Sequence, residues 1–181
     1  MAGMIFAKDG LVVRRLTAAD ASLLVKWLSD PRVLEYYGGR DRPHDVNMVL
    51  EYFFDDNDEE TRCIVTYNGV DIGYVQLYRI SDEEYEDYGY SKEEVVYGMD
   101  QFIGEVEYWN QGIGTQLIRG IVEHIVSLDV RIIVMDPQTW NHRALRCYEK
   151  CGFRTVKLLP EHEWHEGVKR DCWLIVYKSN N

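Results

Sequence analysis

The chain has 181 residues, 46% of them hydrophobic and 13% aromatic, with only 14 glycines and four prolines. At about 100–200 residues per domain this is one globular domain with a sizeable core, which excludes a disordered or collagen-like chain. Twenty Lys and Arg against 31 Asp and Glu leave a net charge of −11; no basic stripe is available to neutralise phosphates, so a nucleic-acid partner is excluded and a cationic one favoured.

In chain order, residues 11–16 read as a first strand, and Thr17 with Asp20 gives a capping-box-like start to a helix through Leu28, with Leu23, Leu24, Trp27 and Leu28 on one face. A short helical piece follows from Pro31 to Tyr37, ending at Gly38-Gly39, then a helix over 45–54 and a solvated acidic break at 55–60. Strands at 63–67 and 70–78 flank Asn68-Gly69, a pair suited to the positive φ angles of a tight hairpin turn. An acidic, tyrosine-rich connection spans 81–94, and Val95 to Val106 forms a long strand. Ile113, Leu117, Ile121, Val122 and Ile125 stripe a helix over 113–128. Then come a strand at 131–136, a helix at 141–151, a strand at 153–158, a loop rich in His and Glu at 160–170, and a last strand at 172–177. The hairpin implies antiparallel pairing in the first half, and strand-helix alternation implies local parallel pairing in the second. The expected fold is α/β (α+β): a single domain over 1–181 with a mixed, mostly antiparallel twisted sheet flanked by helices.

Cys63, Cys147, Cys151 and Cys172 form no CxxC pair, so neither a disulfide framework nor a zinc site is expected. Lys8 and Asp9 interrupt the start before a secretory-length apolar core forms, and no apolar run reaches membrane-spanning length, so the protein is expected in the cytoplasm and off the membrane.

Gln111-Gly112-Ile113-Gly114-Thr115 lies between a strand and an amphipathic helix. Two glycines at a helix start leave backbone N–H groups uncovered for a phosphate, aided by the helix dipole, although such a pair can also be a simple tight turn. No Lys-Ser/Thr follows, so this is not a Walker loop, and the third glycine of a dinucleotide fingerprint is missing. About 30 residues on, the run from Asn141 to Phe153 has the pattern N-x-x-A-x-x-x-Y-x-x-x-G-F. Together with the upstream loop, this resembles the Gcn5-related N-acetyltransferase superfamily. Similarity to its aminoglycoside 6′-N-acetyltransferase branch, and to the acetyltransferase half of bifunctional aminoglycoside-modifying enzymes, extends through residues 26–40, 95–105, 136–153 and 160–167. Trp109 departs from the pattern, where Gln or Arg is common three residues before the first glycine.

The resemblance implies a sheet splayed at its centre and an acetyl-CoA-binding core at about 95–155. It implies acetyl-CoA as co-substrate without a metal, a cationic aminoglycoside as acceptor, and a monomer or homodimer. Gln111, Gly112, Ile113, Gly114 and Thr115 would hold the pyrophosphate, with Asn141 and Ala144 supporting the site from the following helix. Main chain near Phe102, Ile103 and Gly104 would hold the pantetheine arm, and Ile103 and Gly104 would donate to the thioester oxygen. Tyr148, protonated at neutral pH, would protonate the leaving thiolate. Asp100, a lone carboxylate in an apolar strand, would orient and help deprotonate the amine, and Asp136 would receive a second amine. Tyr97 and one or two acids of residues 82–87, Asp82 or Glu84, would complete the acceptor site, with tyrosine faces covering sugar rings. His162 and His165 are three apart where a zinc-binding helix needs four, so this segment is expected to be a loop or dimer contact. Nothing marks Cys147 or Cys151 as a nucleophile, and direct transfer needs none.

Overall fold

The computed structural model describes residues 3–180. Its element order is β1 (Met4–Lys8), β2 (Leu11–Arg15), a 3-10 turn (Ala18–Asp20), α1 (Ala21–Trp27), α2 (Pro31–Leu34), α3 (Val46–Phe53), β3 (Glu60–Tyr67), β4 (Val70–Arg79), α4 (Asp82–Tyr88) and β5 (Val96–Ile103). A second 3-10 turn (Val106–Tyr108) leads to α5 (Ile113–Ser127), β6 (Ile132–Met135), α6 (His142–Lys150), β7 (Arg154–His165) and β8 (Val168–Lys178). The eight strands form one sheet in the order β1-β2-β3-β4-β5-β6-β8-β7. The β1–β2, β2–β3 and β6–β8 pairs are antiparallel and β5–β6 is parallel, as the β5-α5-β6 alternation requires.

Two compact units are distinguished by their internal packing. The first gathers residues up to Gln76, Gln101–Ile113 and His165–Val168. Its core is aromatic: Trp27 meets Phe102 edge-on at 6.1 Å, and Tyr74 stacks on Phe102 at 5.6 Å and takes Phe53 edge-on at 5.2 Å. Leu24, Leu28 and Val49 close it. The second unit comprises Leu77–Asp100, Gly114–Trp164 and the chain from Lys169 on. There Tyr85 and Tyr88 of α4 pack with Val96, Val134, Leu174 and Val176. The predicted stripe on α5 is buried throughout.

Three expectations need correction. A strand, β1, precedes the expected first strand, joined to β2 through Asp9-Gly10, both at positive φ. The acidic connection contains a helix, α4, because Ser81 accepts from the Glu84 N–H at 3.2 Å while Glu84 accepts from the Ser81 N–H at 2.7 Å, and Gly89 ends it left-handed at φ 80°. Its tyrosines 85 and 88 are core residues, so they cannot cover sugar rings as expected. The segment 160–170 is not a loop: β7 and β8 run through it as a long hairpin, turning at Glu166-Gly167 with φ 51° and 79°. Arg40 holds the turn by a two-point contact with Glu166.

Asp20 anchors the start of α1. The buried carboxylate accepts two 2.9 Å bonds from Arg14, one of 2.8 Å from the Thr17 N–H and one of 3.1 Å from its hydroxyl. Burial works against its ionisation, but Arg14 and Thr17 together outweigh it and hold the pKa below the ordinary value. We expect Asp20→Asn to cost about 1–3 kcal/mol at neutral pH, read as a fall of several degrees in Tm. Because the folded pKa is depressed, the stabilisation is complete above the unfolded pKa of about 4. The gap between variant and wild type should close as pH falls through the lower folded value; a pH-independent gap would contradict the assignment.

Candidate active site

The acceptor side of the site starts where β5 leaves its parallel partner. The register runs from Val96↔Ile132 to Gly98↔Val134 and then stops, while Met135, the last residue of β6, still faces Ile175 of β8. Asp100 follows two residues beyond that point on β5, and Asp136 follows directly on β6. Gly98 has no side chain for a packing reason: a Cβ there would lie 2.6–2.9 Å from the ring and hydroxyl of Tyr78. The Tyr78 hydroxyl is hydrogen-bonded to Asp100. Burial, followed by the charges of Asp100, Glu84 and Asp136, drives the Tyr78 pKa far above that of a free phenol, so its proton stays in place for donation.

Asp136 is held in the same manner. Its Oδ2 accepts from the Tyr88 hydroxyl at 3.2 Å and meets His162 Nε2 at 2.9 Å. Burial, then the Asp136 and Glu84 charges, push the Tyr88 pKa strongly upward too. Two buried phenols thus act as fixed donors to two carboxylates, and Asp100, Asp136 and Glu84 share one electrostatic neighbourhood. The negative charge gathered there favours an added cation. Tyr97, opposite Ile133, is half-buried, and by strand alternation it projects from the other face of β5 than Asp100, so it is not brought to the carboxylates as expected. Glu84 is committed in part to the α4 cap, and Asp82 is 84% exposed and paired with Lys92 at 3.4 Å. Tyr78 and His162 were not singled out from sequence as acceptor-site residues, and Tyr88, expected to cover a sugar ring, instead donates to Asp136.

The residues expected to hold acetyl-CoA lie on three stretches, 102–104, 111–115 and 141–148. Gly112 sits immediately before α5 at φ 78°, exposed, with open space where a Cβ would project. α5 is 15 residues long, so the unsatisfied N–H groups of its first turn and its dipole favour an anion there. Gln111 folds back to donate to the Glu107 carbonyl at 2.6 Å. Thr115 Oγ1 lies 3.4 Å from the Cys147 sulfur, and Gly114 also leaves room for Cys147, whose sulfur would be 3.9 Å from an added Cβ. Thus the loop is packed against α6 near Tyr148. Asn141 caps α6 by accepting from the Ala144 N–H at 3.4 Å, and Tyr148 is half-buried, 6.3 Å from the Phe153 ring. The open cradle, the positive φ and the helix start fit a pyrophosphate.

The end of β5 corrects one role. Gly104 donates its N–H to the Ile72 carbonyl at 2.7 Å, so it is not the expected donor to the thioester oxygen. It is glycine because a Cβ would fall 2.2–2.6 Å from the Trp27 ring. Alternation along an extended strand turns the Ile103 N–H to the opposite edge. On that edge the Ile103 carbonyl accepts from the Trp109 indole at 2.8 Å. The residue that departs from the superfamily pattern therefore ties the cofactor loop to the strand end, and Trp27 is oriented by its own 2.9 Å bond to Glu105.

Cys147 and Cys151 are free thiols one turn apart. Among the described residues, no group of three or more His, Cys, Asp or Glu could hold a metal ion, and no helix is long and apolar enough to cross a membrane.

Residues 17–160 match the family described as the Acetyltransferase (GNAT) domain. The aminoglycoside N(6′)-acetyltransferases type 1 of Klebsiella pneumoniae and of Serratia marcescens are each 32% identical over 155 residues, covering 81% of this chain and 75% of theirs. The fold is similar to aminoglycoside acetyltransferase AAC(6′)-Ib in complex with coenzyme A and kanamycin, with TM-score 0.73, 27% identity and 93% and 94% of the two chains covered. Spermidine N-acetyltransferase from Vibrio cholerae, in complex with CoA and spermine, shares the fold at TM-score 0.76 and 19% identity over 94% and 96%. A strand that leaves its parallel partner, a glycine turn opening a long helix, and a family match over most of the chain have one common account: this protein belongs to the GNAT acetyltransferases.

Proposed function

We propose that this protein transfers the acetyl group of acetyl-CoA directly to the 6′-amino group of an aminoglycoside in a ternary complex. The observation that carries the acceptor class is the half-buried carboxylate pair, Asp100 and Asp136, held by the phenols of Tyr78 and Tyr88. The relatives that share 32% identity are aminoglycoside 6′-acetyltransferases, which supports the regiochemistry. Acetyl-CoA as donor supports a cytoplasmic reaction.

In this reading the Gln111–Thr115 turn and the first turn of α5 take the pyrophosphate, and Asn141 and Ala144 shape the start of the helix that bears Tyr148. Phe102 and Ile103 border the pantetheine arm, and the Ile103 N–H polarises the thioester oxygen. Asp100 accepts a hydrogen bond from the substrate ammonium and orients it. Loss of a proton, assisted by Asp100 through water, frees the nitrogen lone pair to attack the thioester carbon. The carbon–sulfur bond then breaks, and the Tyr148 hydroxyl protonates the departing thiolate. Asp136, with Asp82 and Glu84 further out, holds the other ammonium groups. A polyamine would also satisfy two carboxylates, so acetyl-CoA assays pairing kanamycin with spermidine decide the acceptor; turnover of spermidine alone would overturn the aminoglycoside reading.

Three variants separate the roles. Gly112→Val puts a β-branched residue at positive φ and a side chain into the cradle, so the Kd for acetyl-CoA by calorimetry should rise at least about tenfold; an unchanged Kd argues against the loop. Tyr148→Phe keeps the ring and should lower kcat by about 10-fold to 1,000-fold with little change in either KM. Asp100→Asn removes a charge-assisted bond of about 1.5–3 kcal/mol, so kcat/KM for the aminoglycoside should fall by about 10-fold to 100-fold while acetyl-CoA binding holds. Full kcat/KM at every pH would make this carboxylate structural.

A further inference from the structure

Asp136 already carries a potential cation of the protein's own. Its Oδ2 receives the Tyr88 hydroxyl and His162 Nε2, and its side chain is 34% exposed against 21% for His162. An incoming ammonium can therefore reach the carboxylate but meets the imidazole on it. Tyr88 is buried and permanently protonated, so of the two donors only His162 changes charge near neutral pH.

His162 is placed by its strand. Glu161, just before it, sits at φ 47° with its N–H on Asp171 at 2.9 Å, and Glu163, just after it, accepts from Gln138 at 2.8 Å. Pinning on both sides fixes the direction of the imidazole, and the Tyr88 ring tilts against it at 6.2 Å. We propose that His162 acts as a resident counter-cation on Asp136 which the acceptor's ammonium group must displace, making His162 a specificity-determining residue of the acceptor site. This rests on the reading that Asp136 receives an acceptor amine.

The surroundings favour the charged form. The hydrogen bond that His162 donates to Asp136 raises its pKa above the ordinary value, burial opposes this, and the charges of Asp136, Glu163 and Asp87 add to the rise. From α4 come Asp87 and Tyr88, with Glu84 and Asp100 acting on Tyr88 from further off. From β8 comes the Cys172 thiol, held protonated by burial and by the Glu163 and Asp136 charges. Lys157, on β7 with His162, is directed at the Asp87 carbonyl. As pH falls through the His162 midpoint the imidazolium fills and competes for Asp136; as pH rises the competitor is neutralised. The acceptor's own amines run the other way, losing charge as pH rises, so the comparison has to be made between variants rather than between pH values alone.

The test is the Kd for kanamycin by calorimetry in the presence of CoA, at about pH 6 and about pH 8, for wild type, His162→Gln and Asp136→Asn. The ratio of Kd at the lower pH to that at the higher should be about 3-fold to 10-fold larger in wild type than in His162→Gln, whose gain in affinity appears at the lower pH. A folding defect alone would not move this ratio. Reciprocity supplies a second readout that needs no variant: adding kanamycin should lower the titration midpoint of His162, followed by imidazole nitrogen NMR, by the logarithm of the same factor. Equal ratios in wild type and His162→Gln, or a midpoint unmoved by kanamycin, overturn the inference. If Asp136→Asn binds kanamycin as wild type does, the placement of an amine on Asp136 falls and this inference falls with it. If Asp136→Asn weakens binding while His162→Gln keeps the wild-type ratio, only the role of His162 is lost.

Discussion

The molecule's chemistry depends on β5 parting from β6. β6 is only four residues long, and Pro137, one residue beyond Asp136, has no N–H to continue a ladder. The chain there stays with β8 instead: the Trp173 N–H donates to the Pro137 carbonyl at 2.9 Å, Gln138 bridges Cys172, and the Thr139 N–H donates to Asp171 at 3.0 Å. β5 runs on through Ile103 without β6. One edge of its backbone is thereby released from parallel pairing, and Asp100 and Asp136 stand at the two ends of the divergence.

A carboxylate taken partly out of water has to be compensated, or it protonates. Here part of the compensation comes from neutral donors, and at Asp136 His162 adds a cation when it is protonated. Tyr78 and Tyr88 each supply one hydrogen bond, and because burial and neighbouring negative charge both oppose phenol ionisation, neither can be lost as a donor at physiological pH. Neutral donors stabilise the anions without cancelling their charge, as Arg or Lys would. The result is a negative site with capacity for cations, the property a polyamine or an aminoglycoside requires. The chain uses the opposite arrangement where it wants rigidity: Asp20 is neutralised by Arg14, and Glu166 by Arg40.

Glycine and tryptophan divide the remaining positioning. Gly98 gives room to Tyr78 and Gly104 gives room to Trp27, so both glycines are contact points for aromatic rings. Trp109 joins the loop to the Ile103 carbonyl. Backbone N–H groups would make the proposed phosphate cradle, so the side chain at position 109 is free to serve this fastening instead.

What sequence alone could determine was whatever rests on short-range physics. The Asn68-Gly69 turn, the α5 stripe and the Thr17–Asp20 cap each depend on residues within a turn or two of one another, and each is where the pattern puts it. The strand-helix alternation around residues 95–135 likewise dictated parallel pairing of β5 with β6. Two local signals were present but outweighed: Asp9-Gly10 at the first hairpin, and Ser81 with Glu84, whose capping box was masked by the acidity around it. The ends of the β7–β8 hairpin were legible as strands at 153–158 and 172–177, but its middle was not, since residues 160–171 are mostly exposed and carry no apolar alternation to read. Only tertiary structure could decide the pairing of Tyr78 with Asp100 and of Tyr88 and His162 with Asp136, or the loss of the Gly104 N–H to Ile72. These contacts join residues 22 to 48 positions apart, and their energies come from burial and from charges brought together by the fold, neither of which exists in the extended chain.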